Sequence, residues 1–210
     1  MSSSDKSTWL EKVYSAQNNK ELSESYDAWA ENYDLDVLSF GYKLPTIMTG
    51  FIGRYVAREG LILDAGAGTG ILGQALYILG YRNLIGLDIS SGMLEKAREK
   101  KIYLELHQID LCEELDFDQN SFSASLAMGV FTAGHAPPSA FDELVRVTKP
   151  GGRMIFSVRA DTYFDQDCKD KLDELEICGK WQLIEKTDVF QALPLEKPEA
   201  LNRVFVYSVN

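Results

Sequence analysis

The chain holds only three cysteines, Cys112, Cys168 and Cys178, and no two of them form a C-x-x-C pair. That excludes a disulfide framework or a cysteine zinc site as the basis of the fold and fits reduced thiols. Two histidines, His107 and His135, are too few for a histidine-rich metal cluster, so no metal is expected. Basic residues are outnumbered: Lys and Arg total 21 against 32 Asp and Glu, a formal net charge of −11. A nucleic acid would meet a repulsive field, because binding to it rests on counterion release by Lys and Arg. The same charge argues against a membrane-surface role. No apolar run reaches the roughly 20 residues that cross a bilayer. The opening MSSSDKSTW has no basic segment followed by an apolar one, so no secretory signal is read there and a cytoplasmic protein is expected.

What is present is an ordinary globular composition: 210 residues, 45% hydrophobic and 25% charged, the size of one α/β domain. Residues 1–34 are polar with scattered aromatics, and Leu22, Tyr26, Trp29 and Tyr33 recur at the spacing of one helical face. Pro45 suits the first turn of a following helix striped by Ile47, Phe51, Ile52, Tyr55 and Val56. From Leu61 onward strands and helices alternate. The strands are read at 61–63, 84–88, 102–109, 122–130 and 154–158, and Lys149-Pro150-Gly151-Gly152 forms the turn before the fifth. An acidic stretch, Asp161–Glu176, reads as a solvated helix. Two further strands, 181–190 and 203–209, are joined by a loop with Pro194 and Pro198, which suits an antiparallel closing pair. The prediction is a Rossmann-like, seven-stranded, mostly parallel sheet with one antiparallel strand and helices on both faces. A helical cap over 1–40 precedes the main domain, 41–210.

In such sheets ligands sit beyond the carboxyl ends of the strands. The first strand ends in Asp64-Ala65-Gly66-Ala67-Gly68-Thr69-Gly70, the second in Asp88-Ile89, the third in Asp110-Leu111 and the fourth in Met128-Gly129-Val130. The glycine run is not a dinucleotide fingerprint, because Ile71 stands where G-x-G-x-x-G wants its third glycine. Asp64 would repel a pyrophosphate and suits a ligand carrying an ammonium. Asp88, twenty residues after Gly68, is placed to accept from ribose hydroxyls. Asp110 can accept from an exocyclic amine while the Leu111 N–H donates to a ring nitrogen. A cationic, phosphate-free nucleoside fits this set, and S-adenosylmethionine is such a molecule. A nicotinamide-dependent oxidoreductase and a non-catalytic cofactor-binding protein are the rival classes.

With these residues the chain resembles the class I S-adenosylmethionine-dependent methyltransferases. Leu63–Gly70 is similar to their first motif, Gly86–Ser90 to the ribose-binding strand end, Asp110-Leu111 to the adenine site, and Thr148–Gly152 to the turn before strand five. Tyr26–Ala30 with Asn32–Asp34 resembles the N-terminal helix of small-molecule methyltransferases, whose tyrosines close over the cofactor. The general look is closest to the methyltransferase-like proteins related to the Williams-Beuren syndrome region product. The resemblance implies cofactor contacts from Tyr26, Tyr33, Asp64, Gly66, Ala67, Gly68, Gly70, Asp88, Ile89, Met93, Asp110, Leu111, Met128 and Gly129.

After strand four, Phe131-Thr132-Ala133-Gly134-His135 brings His135 as the candidate base; a loop histidine bonded only to backbone is the other reading. Arg159, just after strand five, suits an acidic substrate group or the nearby acids. The Asn/Asp-Pro-Pro-aromatic motif, a Pro-Cys nucleophile and a paired-glutamate loop are all missing, which leaves a small-molecule or unidentified acceptor.

Overall fold

The computed structural model describes residues 3–132, 134–160 and 166–210. Four helices come first: α1 (Ser3–Ser15), α2 (Asn19–Trp29), α3 (Tyr33–Ser39) and α4 (Leu44–Tyr55). The alternating part follows: β1 (Ile62–Ala65), α5 (Ile71–Ile78), β2 (Leu84–Asp88), α6 (Ser91–Glu99), β3 (Glu105–Gln108), β4 (Phe122–Phe131), α7 (Ala140–Val147) and β5 (Thr148–Arg159). The chain ends with α8 (Gln166–Ile177), β6 (Trp181–Lys186), β7 (Phe190–Leu193) and β8 (Lys197–Val209). The strand order is β3-β2-β1-β4-β5-β8-β6, with β7 paired to β8 alone. β8 runs antiparallel to both β5 and β6, while the pairs from β3 to β5 are parallel. The seven-strand path with one antiparallel member is the expected sheet, and β7 is an eighth strand beside it.

Alternation along the strands splits the core in two. Leu63, Leu87, Phe156 and Phe205 face one side, against Phe141 and Leu144 of α7 and Leu172 and Leu175 of α8. Ile62, Leu84, Ile155 and Val206 face the other, against Leu22, Trp29, Met48 and Ile52 of the N-terminal helices. Both faces are covered, which is why the strands read as unbroken apolar runs.

Three details differ from the sequence reading. The single helical face of Leu22, Tyr26, Trp29 and Tyr33 is broken between α2 and α3. The buried Trp29 indole N–H donates to buried Asp36 Oδ2 at 2.9 Å, and a turn at 30–32 brings Asp36 back onto Trp29. The loop expected between the last two strands is a hairpin: β6 stops at Lys186, and β7 pairs with the early part of β8 (Phe190 with Asn202, Leu193 with Lys197). Ala192 and Leu193 are buried against the N-terminal helices, which holds the hairpin down. Third, β5 starts at Thr148, and the Lys149–Gly152 turn is a bulge within it, marked by a register shift opposite Ser123. A Cβ on Gly152 would lie 2.7 Å from Lys149 O and 2.9 Å from Ser123 O, so the bulge is packed too tightly for a side chain there. The expected acidic helix corresponds to α8 over Gln166–Ile177; its first part, 161–165, lies outside the described residues.

An aromatic stack joins the layers. Phe156 lies 4.7 Å from Phe141, 5.9 Å from Trp181, 5.5 Å from Phe205 and 5.8 Å from Tyr207, centroid to centroid. Phe156→Ala should cost about 3–5 kcal/mol, the usual loss for a buried Phe in a packed core. Urea denaturation reads this directly, and a loss below about 1 kcal/mol would mean that the stack can collapse onto the gap.

Candidate functional site

The glycine-rich loop follows β1 because the chain must turn sharply from strand into helix. Gly66 has φ +78°, and a Cβ there would come within 2.2 Å of Val130 Cγ2, so this position brings the β1 and β4 ends together. The Gly66 and Ala67 N–H groups both donate to Leu87 O at 2.8 Å, tying the loop to β2. Gly70, in the left-handed region, caps α5.

Asp88, the last residue of β2, joins two elements. Its Oδ2 accepts from Gly68 N at 2.7 Å and its Oδ1 from Ser90 N at 2.9 Å. Burial pushes the carboxyl up to about 6, against the lowering effect of these backbone donors. Ser90 in turn caps α6, accepting from Met93 N at 3.1 Å.

Asp64 is 1% exposed. Its Oδ2 accepts from the Tyr103 hydroxyl at 2.6 Å, while its Oδ1 is buried without a hydrogen-bond partner. Burial raises this carboxyl to about 6 as well; the Tyr103 bond lowers it and neighbouring Asp88 raises it further. Asp110, beyond β3, behaves differently. Burial works upward, but the Cys112 backbone and thiol and the Asn19 amide outweigh it and hold the carboxyl below its ordinary value. Asn19 reaches it from the start of α2.

The N-terminal helices lie across these strand ends. Asp27 Oδ1 accepts from Ser90 Oγ at 2.6 Å and from Gly92 N at 2.7 Å at the start of α6. Asp34 pairs with Lys100 at 2.7 Å and accepts from the Thr69 hydroxyl in the glycine loop. Ser23 Oγ donates to Ile89 O at 3.1 Å. Beneath this layer, Tyr26 Oη lies 2.8 Å from His135 Nε2. Burial, reinforced by Tyr33, Tyr14, Asp88 and Tyr42, keeps the Tyr26 phenol protonated far above its ordinary range.

These residues enclose a cavity of about 710 Å³, its open mouth included. Of the residues singled out in the sequence, Tyr26, Tyr33, Gly66, Gly68, Asp88, Ile89, Met93, Asp110, Leu111, Met128, Gly129 and His135 line it. Asp64, Ala67 and Gly70 do not. Ala67 is packed under the loop, Gly70 opens α5, and Asp64 sits below them with its side chain turned to Tyr103. The sequence reading missed Asn19, Leu22, Ile109, Val130 and Ala136. Ile109 and Val130 adjoin residues that were named, and Leu22 shares a helical face with Tyr26. Nothing local marked Asn19.

The donor set fits a cationic nucleoside. Each Asp88 carboxylate oxygen accepts one backbone N–H and keeps acceptor capacity for vicinal hydroxyls. The unpaired Oδ1 of Asp64 supplies buried negative potential beneath the glycine loop. The carboxylates near the loop make a pyrophosphate a poor occupant.

Residues 63–156 match a family described as a methyltransferase domain. Methyltransferase-like protein 27 of Homo sapiens is 34% identical over 164 residues, covering 75% of this chain and 66% of that protein. The phosphatidylethanolamine N-methyltransferase of Cereibacter sphaeroides is 33% identical over 141 residues, covering 64% and 66%. The chain thus spans 66% of the length of each of these relatives. Among solved structures, the cyclase SpnF superposes with a TM-score of 0.70 at 15% identity, covering 92% of this chain and 97% of that one. A Thermotoga maritima S-adenosylmethionine-dependent methyltransferase, described as a possible histamine N-methyltransferase, superposes at 0.62 with 16% identity, covering 87% and 97%. At such identities the likeness is one of fold.

The raised carboxyls carry a pH signature. A folded-state value of about 6 for Asp64 means the native state binds its proton more tightly than the unfolded chain does. Its contribution to stability is therefore full below the unfolded value and is lost as pH rises through the folded one. Asp64→Asn has no such group. The stability of the wild type relative to Asp64→Asn should fall by up to about 3 kcal/mol between about pH 4 and about pH 7. A difference that stays flat across that window would contradict the buried, uncompensated carboxyl.

Proposed function

This chain belongs to the class I S-adenosylmethionine-dependent methyltransferase family, whose cofactor is S-adenosylmethionine, and we propose that it methylates a small-molecule acceptor. The observation that carries this reading is the pair of carboxylates Asp88 and Asp110 at the cavity wall, with Asp64 buried beneath a glycine loop that has Ile71 where a dinucleotide loop wants its third glycine. When bound, the cofactor supplies an electrophilic methyl on a sulfonium; Asp88 would hold its ribose, Asp110 and Leu111 its adenine, and the loop with Asp64 its charged end.

The remaining work falls to the protein's own side chains. Residues 1–40 act as a cap, with Tyr26 and Tyr33 closing the cavity from above, and 41–210 form the transferase domain. Closure excludes water and fixes the direction of approach, which is where most of the acceleration of an in-line displacement arises. His135 takes the proton when the acceptor nucleophile has one to lose. Tyr26, held protonated by burial, positions the imidazole without competing for the proton.

Several relatives are named for small acceptors, among them the demethylmenaquinone methyltransferase of Renibacterium salmoninarum, 30% identical over 140 residues. They support the small-molecule reading. SpnF, named as a cyclase on the same fold, favours a second one: the cofactor pocket serving chemistry other than methyl transfer.

The test is incubation with methyl-labelled S-adenosylmethionine and a small-molecule extract, read by mass spectrometry. Label should appear in a low-mass product with the wild type. Asp88→Ala should abolish it while weakening S-adenosylhomocysteine binding by about 1.5–3 kcal/mol, the worth of charge-assisted hydrogen bonds. Unchanged affinity in folded Asp88→Ala would refute the ribose role.

A further inference from the structure

Tyr103 lies between α6 and β3, and three glycines are shaped around its ring. A Cβ on Gly70 would lie 3.1 Å from Cε2, one on Gly86 3.2 Å from Cδ1, and one on Gly73 2.2 Å from the hydroxyl oxygen. Gly70 is explained by its left-handed backbone, but Gly73 has no such need. It is buried inside α5, where glycine is the poorest helix former after proline. Its presence there follows from Tyr103, since any side chain would strike the hydroxyl.

What this cradle places is one hydrogen bond. The Tyr103 hydroxyl donates to Asp64 Oδ2 at 2.6 Å. Burial, followed by the Asp64 charge and this bond, keeps the phenol protonated far above its ordinary range, so near neutral pH it is always a donor. A donor fixed on one carboxylate oxygen favours the ionised form and sets the direction of the other. That other oxygen, Oδ1, is buried and has no hydrogen-bond partner. Two titratable groups act on Asp64. Tyr103, from the segment before β3, favours its charge, and Asp88, at the end of β2, opposes it. Neither is a cation, so among the described residues nothing listed against Asp64 balances its charge. A buried polar atom left in this way marks a place where a bound group supplies the compensation.

Resting on the cofactor reading, we infer that Tyr103 is a positioning residue for S-adenosylmethionine: its hydroxyl orients Asp64 and keeps it charged beneath the glycine loop, and that charge favours the cofactor's ammonium end. Tyr103 is not part of the cavity wall and acts through Asp64 alone. The glycines of this region therefore divide. Gly66 and Gly68 line the cavity, whereas Gly70, Gly73 and Gly86 hold the phenol behind it. The wild-type Asp64 carboxyl sits at about 6. Without the hydroxyl, burial and Asp88 act on it unopposed, and it takes up a proton at a higher pH. The affinity lost is then largest on the acid side, and only for a ligand that carries the ammonium.

The experiment is calorimetry with two ligands on the wild type and Tyr103→Phe, at about pH 5.5 and about pH 7.5. One ligand is S-adenosylhomocysteine. The other is methylthioadenosine, which keeps the adenine, ribose and thioether and lacks the amino-acid end. Tyr103→Phe should weaken S-adenosylhomocysteine about fivefold to tenfold at the lower pH and about twofold or less at the higher, as expected when a charge-assisted hydrogen bond to the carboxylate is lost. Methylthioadenosine should change by less than about twofold at both. Gly73→Ala, whose methyl displaces the same hydroxyl, should give the same pattern, so either variant alone decides if the other does not fold. An equal loss of S-adenosylhomocysteine at both pH values overturns the inference, because it marks a contact that is structural only. The same pH-dependent loss for methylthioadenosine overturns it too, by assigning the titration to Asp88 and the ribose. Unchanged S-adenosylhomocysteine binding is the third contrary result. Failure of the wild type to bind S-adenosylhomocysteine removes the cofactor reading and this one with it, whereas wild-type binding with any of the three contrary results removes this one alone.

Discussion

Asp88 receives one backbone N–H from the glycine loop and one from the start of α6, at 2.7 and 2.9 Å. Those two bonds fix how the β1 loop, the β2 end and the α6 N-terminus sit relative to one another, and the floor of the cavity is made of those parts. The arrangement keeps a carboxylate in a place where burial opposes its charge. Such a group persists in a fold when the surroundings satisfy it, and here the backbone satisfies only part of it.

The N-terminal helices are tied to that floor. Asp27 reaches the same α6 terminus through Ser90 and Gly92, and Asp34 reaches the glycine loop through Thr69 and the end of α6 through Lys100. A run of acids along the N-terminal helices therefore docks on N–H, hydroxyl and ammonium donors of the sheet layer. Part of the net charge of −11 is spent on this latch and part on the cavity. The exposed carboxylates of α8 pair locally, as Lys169 with Asp173 at 3.8 Å and Lys171 with Glu174 at 3.1 Å, and contribute little individually.

The strand–helix alternation was legible because most strands are short apolar runs, and Asp88 and Asp110, which line the cavity, were legible because they stand at or just beyond strand ends. What lay outside local pattern was not. Asn19 meets Asp110 across 91 residues, and no signal in either neighbourhood announces the pair. Asp64 was expected at the cavity wall from its place beside the glycines, yet Tyr103, 39 residues away, draws it inward. Helical spacing cannot see the turn at 30–32, since Trp29 and Asp36 bond across it through tertiary packing. The β7 hairpin was hidden by Pro194 and Pro198, which read as loop but sit at its turn and in its paired arm.

The central claim is that Asp88 and Asp110 at the cavity wall, with Asp64 buried beneath the glycine loop, suit a cationic, phosphate-free nucleoside. Titration calorimetry of the wild-type protein with S-adenosylhomocysteine and, separately, with NAD tests it most directly. Micromolar binding of the former and none of the latter is the expected result. Micromolar NAD binding with no S-adenosylhomocysteine binding would contradict it.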